Sequence, residues 1–375
     1  MTAVHPTASF PLIRPLMDAR GYEPGGPLGR LTADRELAAL REAVPDLRAA
    51  VQASVRPDAV ATADLITLPY PTGFGLWRAA ATPAPFLWIV NRMVVVQWTE
   101  EDGTPRTLLW EPTDHDLARD TPYYVRLRTR NVLPERYLTG VHGTVLGHLA
   151  RLGIRPGDVD YLAFDHLHTQ DVRRLIGTRG PAPDLGRHDA PVVPWLPNAR
   201  LIVQTREWDT ARNPHPLQRP WYQPETYTDL REEAMLFVDG DVALGPGVAL
   251  LFTPGHTLGN MSLVLHTDTG LWTSSENGIA AECYEPSASR IPGVRRWAAA
   301  WGQEVVLNAN VLEFTAWQYN AMVVEKHVAD VAGSGPFRQT FPSSELVRTA
   351  RSPGTAPTFS HSAIRHGRVR ASTQE

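Results

Sequence analysis

The residues best suited to chemistry begin with two histidines directly after a predicted strand. His166 and His168 lie in the segment DHLHTQD, residues 165–171. Side chains alternate along an extended chain, so a His-x-His pair points both imidazoles to the same side. Two imidazoles on one side are the arrangement that a shared metal ion requires.

Two further motifs follow predicted strands later in the chain. The turn TPGHTLGN, residues 253–260, presents His256 between prolines and glycines, and Glu276 follows the strand GLWTSS. Strands that end at one edge of a sheet can bring such side chains into one pocket. Nitrogen and carboxylate ligands favour zinc, with iron or manganese also allowed, and either one or two ions could be held.

The order and contexts of these motifs resemble the metallo-β-lactamase-fold hydrolase superfamily, over about residues 86–367. In that family an HxHxDH motif is followed by a TPGHTxG-like turn, a bridging carboxylate and a final histidine. Glu276 matches the bridging carboxylate. The histidines that match the family's ligands are His166, His168, His256 and, near the C-terminus, His361, with His366 as its rival. The resemblance implies an α/β fold, the four-layer αββα sandwich with its metal site at one end.

The chain departs from the family motif where Gln170 and Asp171 replace the usual Asp-His pair. Two metal models therefore stay open. In the binuclear model Glu276 bridges two ions, and Asp171 and His361 hold the second. In the mononuclear model the three earlier histidines and Glu276 close a single site. In either model Asp171 is expected to orient the attacking water or to pass its proton to the leaving group.

The resemblance implies hydrolysis of an ester or lactone carbonyl by a metal-bound water. Trp221 and Tyr222 are the candidates for contact with a small-molecule substrate, and Glu207 is expected to form a salt bridge with an arginine. Two alternatives remain at this point. One is a mononuclear iron oxygenase of the sulfur-dioxygenase type. The other is a binding protein of the same fold that has lost turnover through Gln170.

Composition excludes several other classes of protein. The 375 residues carry a net charge of −4 without a basic block, so nucleic acid is not an expected partner. The single cysteine, Cys283, excludes an intrachain disulfide and a cysteine-rich zinc site. The most apolar segment, residues 86–98, is too short to span a bilayer, and the first residues lack the pattern of a secretory signal. A cytoplasmic protein without membrane contact is expected, and self-association is left open.

The pattern along the chain divides it into three parts. Residues 1–85 are expected to be an N-terminal extension packed on a main domain of residues 86–369, with a flexible tail at residues 370–375. A helix is expected over residues 32–44, which Pro45 is expected to end or to kink. The segment between residues 213 and 227 is expected to form a surface loop or lid. Near the C-terminus the pattern predicts a helix over residues 343–351 and a strand at residues 358–359.

Overall fold

The computed structural model describes residues 10–28, 30–130, 138–333 and 335–372, so the first nine residues and the end of the predicted tail lie outside it. The helices are α1 (Arg14–Arg20), α2 (Ala33–Ala53), α3 (Thr72–Gly75), α4 (His115–Ala118), α5 (Pro122–Arg130), α6 (Val145–Leu152), α7 (Arg173–Ile176), α8 (Thr205–Arg212), α9 (Ala281–Tyr284), α10 (Val294–Trp301) and α11 (Thr315–Val328). Among these described residues, no helix combines the length and the apolar character needed to cross a bilayer.

The strands form two main sheets and one small hairpin. The strands are β1 (Ala59–Pro71), β2 (Phe86–Thr99), β3 (Pro105–Trp110), β4 (Gly140–Val141), β5 (Tyr161–Ala163), β6 (Pro181–Ala182), β7 (Arg187–Pro191), β8 (Arg200–Gln204), β9 (Met235–Val238), β10 (Val242–Gly245), β11 (Val248–Phe252), β12 (Met261–Thr267), β13 (Gly270–Ser274), β14 (Ser344–Leu346) and β15 (Arg365–Gly367). Within the described residues the large sheet runs β15-β1-β2-β3-β5-β8-β9, with β14 paired to β2 and β4 to β1, and the small sheet runs β10-β11-β12-β13.

The hydrophobic core is divided into layers by the two sheets. Between them, Val96 and Trp110 of the large sheet pack in one cluster with Leu250 and Leu263 of the small sheet. A second cluster buries α6, α7 and α8 against the outer face of the large sheet. A third buries α1, α2 and α11 against the outer face of the small sheet. The predicted αββα sandwich is confirmed.

The boundary predicted at residue 85 does not separate an extension from the main domain. β1 pairs with β2 in antiparallel register from Ala59–Gln97 to Pro71–Phe86, with one irregularity between Asp64 and Ile66. It is therefore an integral strand of the large sheet. Before β1, the helices α1 and α2 pack on the outer face of the small sheet.

Pro45 does not end the helix in which it occurs. α2 continues through Pro45 to Ala53, because its apolar stripe goes on past the proline. Leu47 and Val51 are buried in the same cluster as Leu40 and Val44. Burial of this stripe against the small sheet and α11 outweighs the loss of one helical hydrogen bond at the proline.

Two predictions near the C-terminus are wrong, and one in the middle of the chain is wrong in part. Residues 344–346 form β14, which pairs with β2, instead of a helix. Residues 358–359 form no strand, and the last strand is β15. The segment 213–227 is not only a surface lid, since Trp221 and Tyr222 are buried within it. The structure of these segments is determined by strand pairing and packing with residues distant in the sequence. The local sequence pattern does not predict such contacts.

One testable consequence concerns Asp241, which is buried just before β10. One of its carboxylate oxygens accepts the amide of Phe252 at 2.6 Å, and the other has no partner. Burial raises the pKa of Asp241 to about 6. Because the unfolded value is about 3.9, the folded state binds more protons, and this group lowers the free energy of unfolding as pH rises from about 4 to about 6.

We expect Asp241→Asn to remove this component of the pH dependence. Between pH 4 and pH 6 the stability of the variant relative to the wild type should increase by about 2 to 3 kcal/mol. Urea unfolding followed by circular dichroism at pH 4, 5 and 6 measures the difference. A difference that stays constant over this range would contradict the assignment.

Candidate metal centre and cavity

The candidate site lies where three strands end and their connecting loops meet. The loop after β5 carries His166 and His168, the turn after β11 carries His256, and the segment after β13 carries Glu276. The backbone amide of Met261, at the start of β12, donates to the carbonyl of Asp165 at 2.8 Å and so joins the two sheets at this edge. The motifs predicted from the sequence to converge are brought together.

Three imidazoles form the centre of the site. His166, His168 and His256 are buried, and one ring nitrogen of each lies within 4.8 Å of the corresponding atoms of the other two. Nε2 of His166, Nδ1 of His168 and Nε2 of His256 have no hydrogen-bond partner. Buried polar atoms without partners are costly, and three that face one another fit a metal ion bound between them.

The other nitrogen of each ring is held by a specific acceptor. The Nδ1 of His166 donates to the carboxylate of Asp165. The Nε2 of His168 donates to the side-chain oxygen of Gln218 at 2.5 Å, and the Nδ1 of His256 donates to the carbonyl of Asn308 at 3.0 Å. Such acceptors fix the tautomer and orientation of metal-binding histidines. The other nitrogen of each ring is thereby left available to a shared ion.

Burial and mutual repulsion control the charge of these rings. Burial lowers the pKa of His168 well below its ordinary value, and His166 and His256 lower it further. Burial and the charge of His166 lower the pKa of His256 to about 3. Burial opposes the charged form of His166 as well, but the Asp165 carboxylate outweighs it and raises that pKa to about 9. Two rings are neutral donors, and the third is made more basic by its carboxylate partner.

Glu276 lies beside the histidine triad and is not a member of it. Its Oε2 is 3.7 Å from Nε2 of His166, and the two residues form a second group with Asp165. Burial raises the pKa of Glu276 to about 7, although the charge of His166 opposes the rise. Among the described residues, the Glu276 carboxylate faces His166 without a salt bridge to an arginine.

Asp171, predicted as a metal ligand, is directed elsewhere. Both of its oxygens accept hydrogen bonds from Arg173, with a shortest N–O distance of 2.7 Å, and its carboxylate also accepts the backbone amide of Arg173. Asp171 belongs to neither group of potential ligands among the described residues. The nearby guanidinium satisfies the carboxylate locally, which is why the motif position does not place it at the metal.

The two C-terminal histidines are also absent from the triad. His361 donates from Nδ1 to Glu345 at 2.8 Å and from Nε2 to the carbonyl of Arg338 at 2.9 Å. His366 contacts Asp268 at 2.7 Å and the carbonyl of Pro57 at 3.0 Å. Because both nitrogens of each ring are engaged, neither residue occupies the position predicted for the last ligand.

Glu207 has a role that the sequence did not indicate. In place of the predicted arginine salt bridge, its carboxylate accepts the amide of Leu167 at 2.7 Å, the hydroxyl of Tyr222 at 2.7 Å and the hydroxyl of Thr257. It therefore joins the loop that bears two histidines to the turn that bears the third. A Cβ at Gly259 would lie 2.1 Å from the backbone nitrogen of Glu207, so only glycine fits this contact.

A cavity of about 430 Å³ lies beside two of the three histidines. His166, His168 and Glu276 line it, and Trp221 lines it as predicted, stacked on Tyr123 with ring centroids 4.1 Å apart. Tyr222 is not part of the lining, because its hydroxyl is directed at Glu207. The apolar part of the wall consists of Ile66, Leu68, Ile89, Leu127 and Leu138.

No family model matches the chain. An N-acyl homoserine lactonase of Bacillus thuringiensis is 30% identical over 124 residues, which are 33% of this chain and 40% of that protein. The chain thus spans about two fifths of the length of the curated relatives that it matches.

Two solved structures are also similar. One is a dizinc quorum-quenching lactonase in complex with a product, with a TM-score of 0.46, 12% identity, and coverage of 82% of this chain and 96% of that chain. The other is a hydrolase in the beta lactamase superfamily, with a TM-score of 0.38, 14% identity, and coverage of 63% and 79%. The resemblance to the metallo-β-lactamase-fold hydrolases is confirmed.

The side-chain oxygen of Gln218 holds the His168 ring in its orientation, and this role can be tested by mutation. Gln218→Ala removes the acceptor that orients the ring, and loss of such an acceptor weakens metal binding by about 10- to 100-fold. Competition with a chelating dye measures the dissociation constant for zinc. Gln223→Ala is the matched control, because Gln223 lies in the same segment but donates to Leu117 and Thr121. Equal weakening by both variants would contradict a specific role for Gln218.

Proposed function

We propose that this chain is a metal-dependent hydrolase that acts on a lactone or ester carbonyl with an apolar acyl group. The observation that carries the proposal is the set of three buried imidazole nitrogens without partners, together with a cavity of about 430 Å³ that two of these rings, His166 and His168, line. Similarity to N-acyl homoserine lactonases supports a lactone as the substrate. N-acyl homoserine lactones are therefore the first compounds to test.

Zinc is the proposed ion, because three imidazoles are a ligand set typical of catalytic zinc sites. When bound, such an ion lowers the pKa of a water molecule to about 7 and polarises a carbonyl. The three histidines would hold it through Nε2 of His166, Nδ1 of His168 and Nε2 of His256. Iron and manganese are accepted by the same donors and stay alternatives for the test.

The apolar wall suggests how the substrate is oriented. Leu68, Ile89 and Leu138 line the cavity together with the polar residues at the histidine end. An acyl chain placed along this wall would be removed from water, and its carbonyl would point toward the histidines. Trp221, whose ring centroid is 6.0 Å from that of His168, would close the side of the cavity next to the carbonyl.

Glu276 takes over the proton transfer that the sequence suggested for Asp171. Its carboxylate lines the cavity beside His166, which supports the proposal that it would accept a proton from the attacking water and return it to the leaving alkoxide. Tyr124 lines the same cavity, and burial together with Glu276 raises its pKa. Tyr124 therefore keeps its proton at neutral pH and would donate a hydrogen bond to the substrate.

The proposal predicts that His256→Ala loses both bound metal and lactone hydrolysis. Removal of one of three ligands should lower kcat/KM for an N-acyl homoserine lactone by at least about 100-fold. Elemental analysis and a pH-indicator assay of ring opening measure the two effects. His215→Ala is the control, since the side chain of His215 is 61% exposed. Hydrolysis that survives in His256→Ala would contradict the proposed site, and bound iron with oxygen uptake would favour an oxygenase.

The proposed acyl position predicts a change in chain-length preference. Leu68→Trp adds volume to the apolar wall, so kcat/KM should fall about 10-fold or more for a ten-carbon acyl chain relative to a four-carbon chain. Steady-state kinetics with the two lactones measure the ratio. Leu217→Trp is the control, because Leu217 is exposed and outside this cavity. An equal effect on both lactones would place the acyl chain elsewhere.

A further inference from the structure

We propose that this chain binds one divalent metal ion and that its described residues do not supply the second metal position of the binuclear model. The inference rests on the proposed metal-dependent hydrolysis, because it concerns the same site. His166, His168 and His256 supply the ligands of the single ion, since one ring nitrogen of each lies within 4.8 Å of the other two and each ring has one nitrogen without a partner. Of the donors expected at the second position, Asp171 and His361 are committed to other partners, and Gln170 carries no charge.

The loop after β5 offers no second set of ligands. Gln170 is a neutral amide that donates to the hydroxyl of Thr113 at 3.2 Å. Asp171 has a side chain only 1% exposed, and it is paired with Arg173, which also binds Asp184 at 2.6 Å. Moving Asp171 to a metal would leave the guanidinium without its buried partner, which is costly.

The C-terminal part of the chain offers no replacement. His361 is enclosed between Glu345 and the carbonyl of Arg338, with a side chain 1% exposed. Glu345 is itself paired with Arg92. This buried network satisfies both nitrogens of His361, so the ring has no free lone pair directed at a metal.

The remaining donors near the triad do not form a second site. The second group of potential ligands consists of Asp165, His166 and Glu276. Asp165 already accepts from His166 and from the hydroxyl of Ser343 at 2.8 Å. Asn310 contributes an unpartnered side-chain oxygen to the same cavity, but this oxygen is neutral. Glu111 and His115 also line this cavity, and they belong to neither group of potential ligands. A second dication would therefore have to share His166 with the first, because no group among the described residues offers it a separate set of ligands.

Metal stoichiometry tests the inference on the full chain. The protein is equilibrated with excess zinc chloride, dialysed and measured by elemental analysis, with one equivalent per chain expected. A second readout is electron paramagnetic resonance of the manganese-loaded protein, in which an isolated ion gives a spectrum distinct from that of a coupled pair. Two equivalents with a coupled spectrum would overturn the inference.

Three variants distinguish the proposed metal ligands from nearby residues that are not expected to bind the metal. His256→Ala should lose the single equivalent, whereas Asp171→Asn and Glu276→Gln should each keep it. Loss of half of the bound metal in Asp171→Asn or Glu276→Gln would overturn the inference. Because Asp171→Asn disturbs a buried ion pair, its folding is checked by circular dichroism, and the wild-type stoichiometry stands as a test that does not depend on it.

The same measurements distinguish this inference from the proposed function. Two bound ions with lactone hydrolysis intact would overturn the single-metal site and leave the function in place. One bound ion without hydrolysis of any ester or lactone would support the single-metal site and remove the function. A protein that binds no metal would overturn both.

Discussion

Three ring nitrogens that face one another in a buried site need a cation, since nothing else among the described residues satisfies them. Without one, desolvation of these lone pairs is an unrecovered cost to folding, and any charge on one ring repels the others. The surrounding structure must therefore hold the rings against this repulsion. The carboxylate of Asp165, the amide of Gln218 and the carbonyl of Asn308 do so, one for each ring.

Positioning the rings also requires the two sheets to stay in register at this edge. Glu207, on α8, binds Leu167 from the large-sheet side and Thr257 from the small-sheet side. The close approach at Gly259 leaves no space for a side chain between the turn and α8. Glu207 therefore helps to fix the positions of all three histidines without contacting them. Its buried carboxylate is stabilised by hydrogen bonds from neutral donors.

The sequence predicted the parts of this site that depend on local geometry. A His-x-His pair after a strand directs both imidazoles to one side of the chain, and a proline–glycine turn presents one more histidine. Both features depend only on neighbouring residues, so the sequence alone predicts them. Asp171 and His361 could not be predicted in this way, because Arg173 and Glu345 decide where they point. The same holds for β14, whose pairing with β2 overrides local helix preference. The His361–Glu345 pair and the pairing of β14 with β2 join residues far apart in the chain, so neighbouring residues carry no sign of them. Arg173, by contrast, is only two residues from Asp171 and is the local signal for where that carboxylate points.

The distribution of charge at the histidine end of the cavity bears on the kind of substrate. Glu276 is a carboxylate, while Gln170 and Asn310 are neutral amides that line the same cavity. Arg119 and Arg128 line the cavity as well, so a bound dication would not be its only positive charge. The guanidinium of Arg128 donates to the carbonyl of Arg119 at 2.7 Å and to the carboxylate of Asp120 at 3.2 Å. A neutral carbonyl needs one electrophile in its transition state, and a dication held by the three histidines would supply it. The apolar wall, with Leu68, Ile89 and Leu138, is thus the feature of the cavity that supports the proposed acylated lactone.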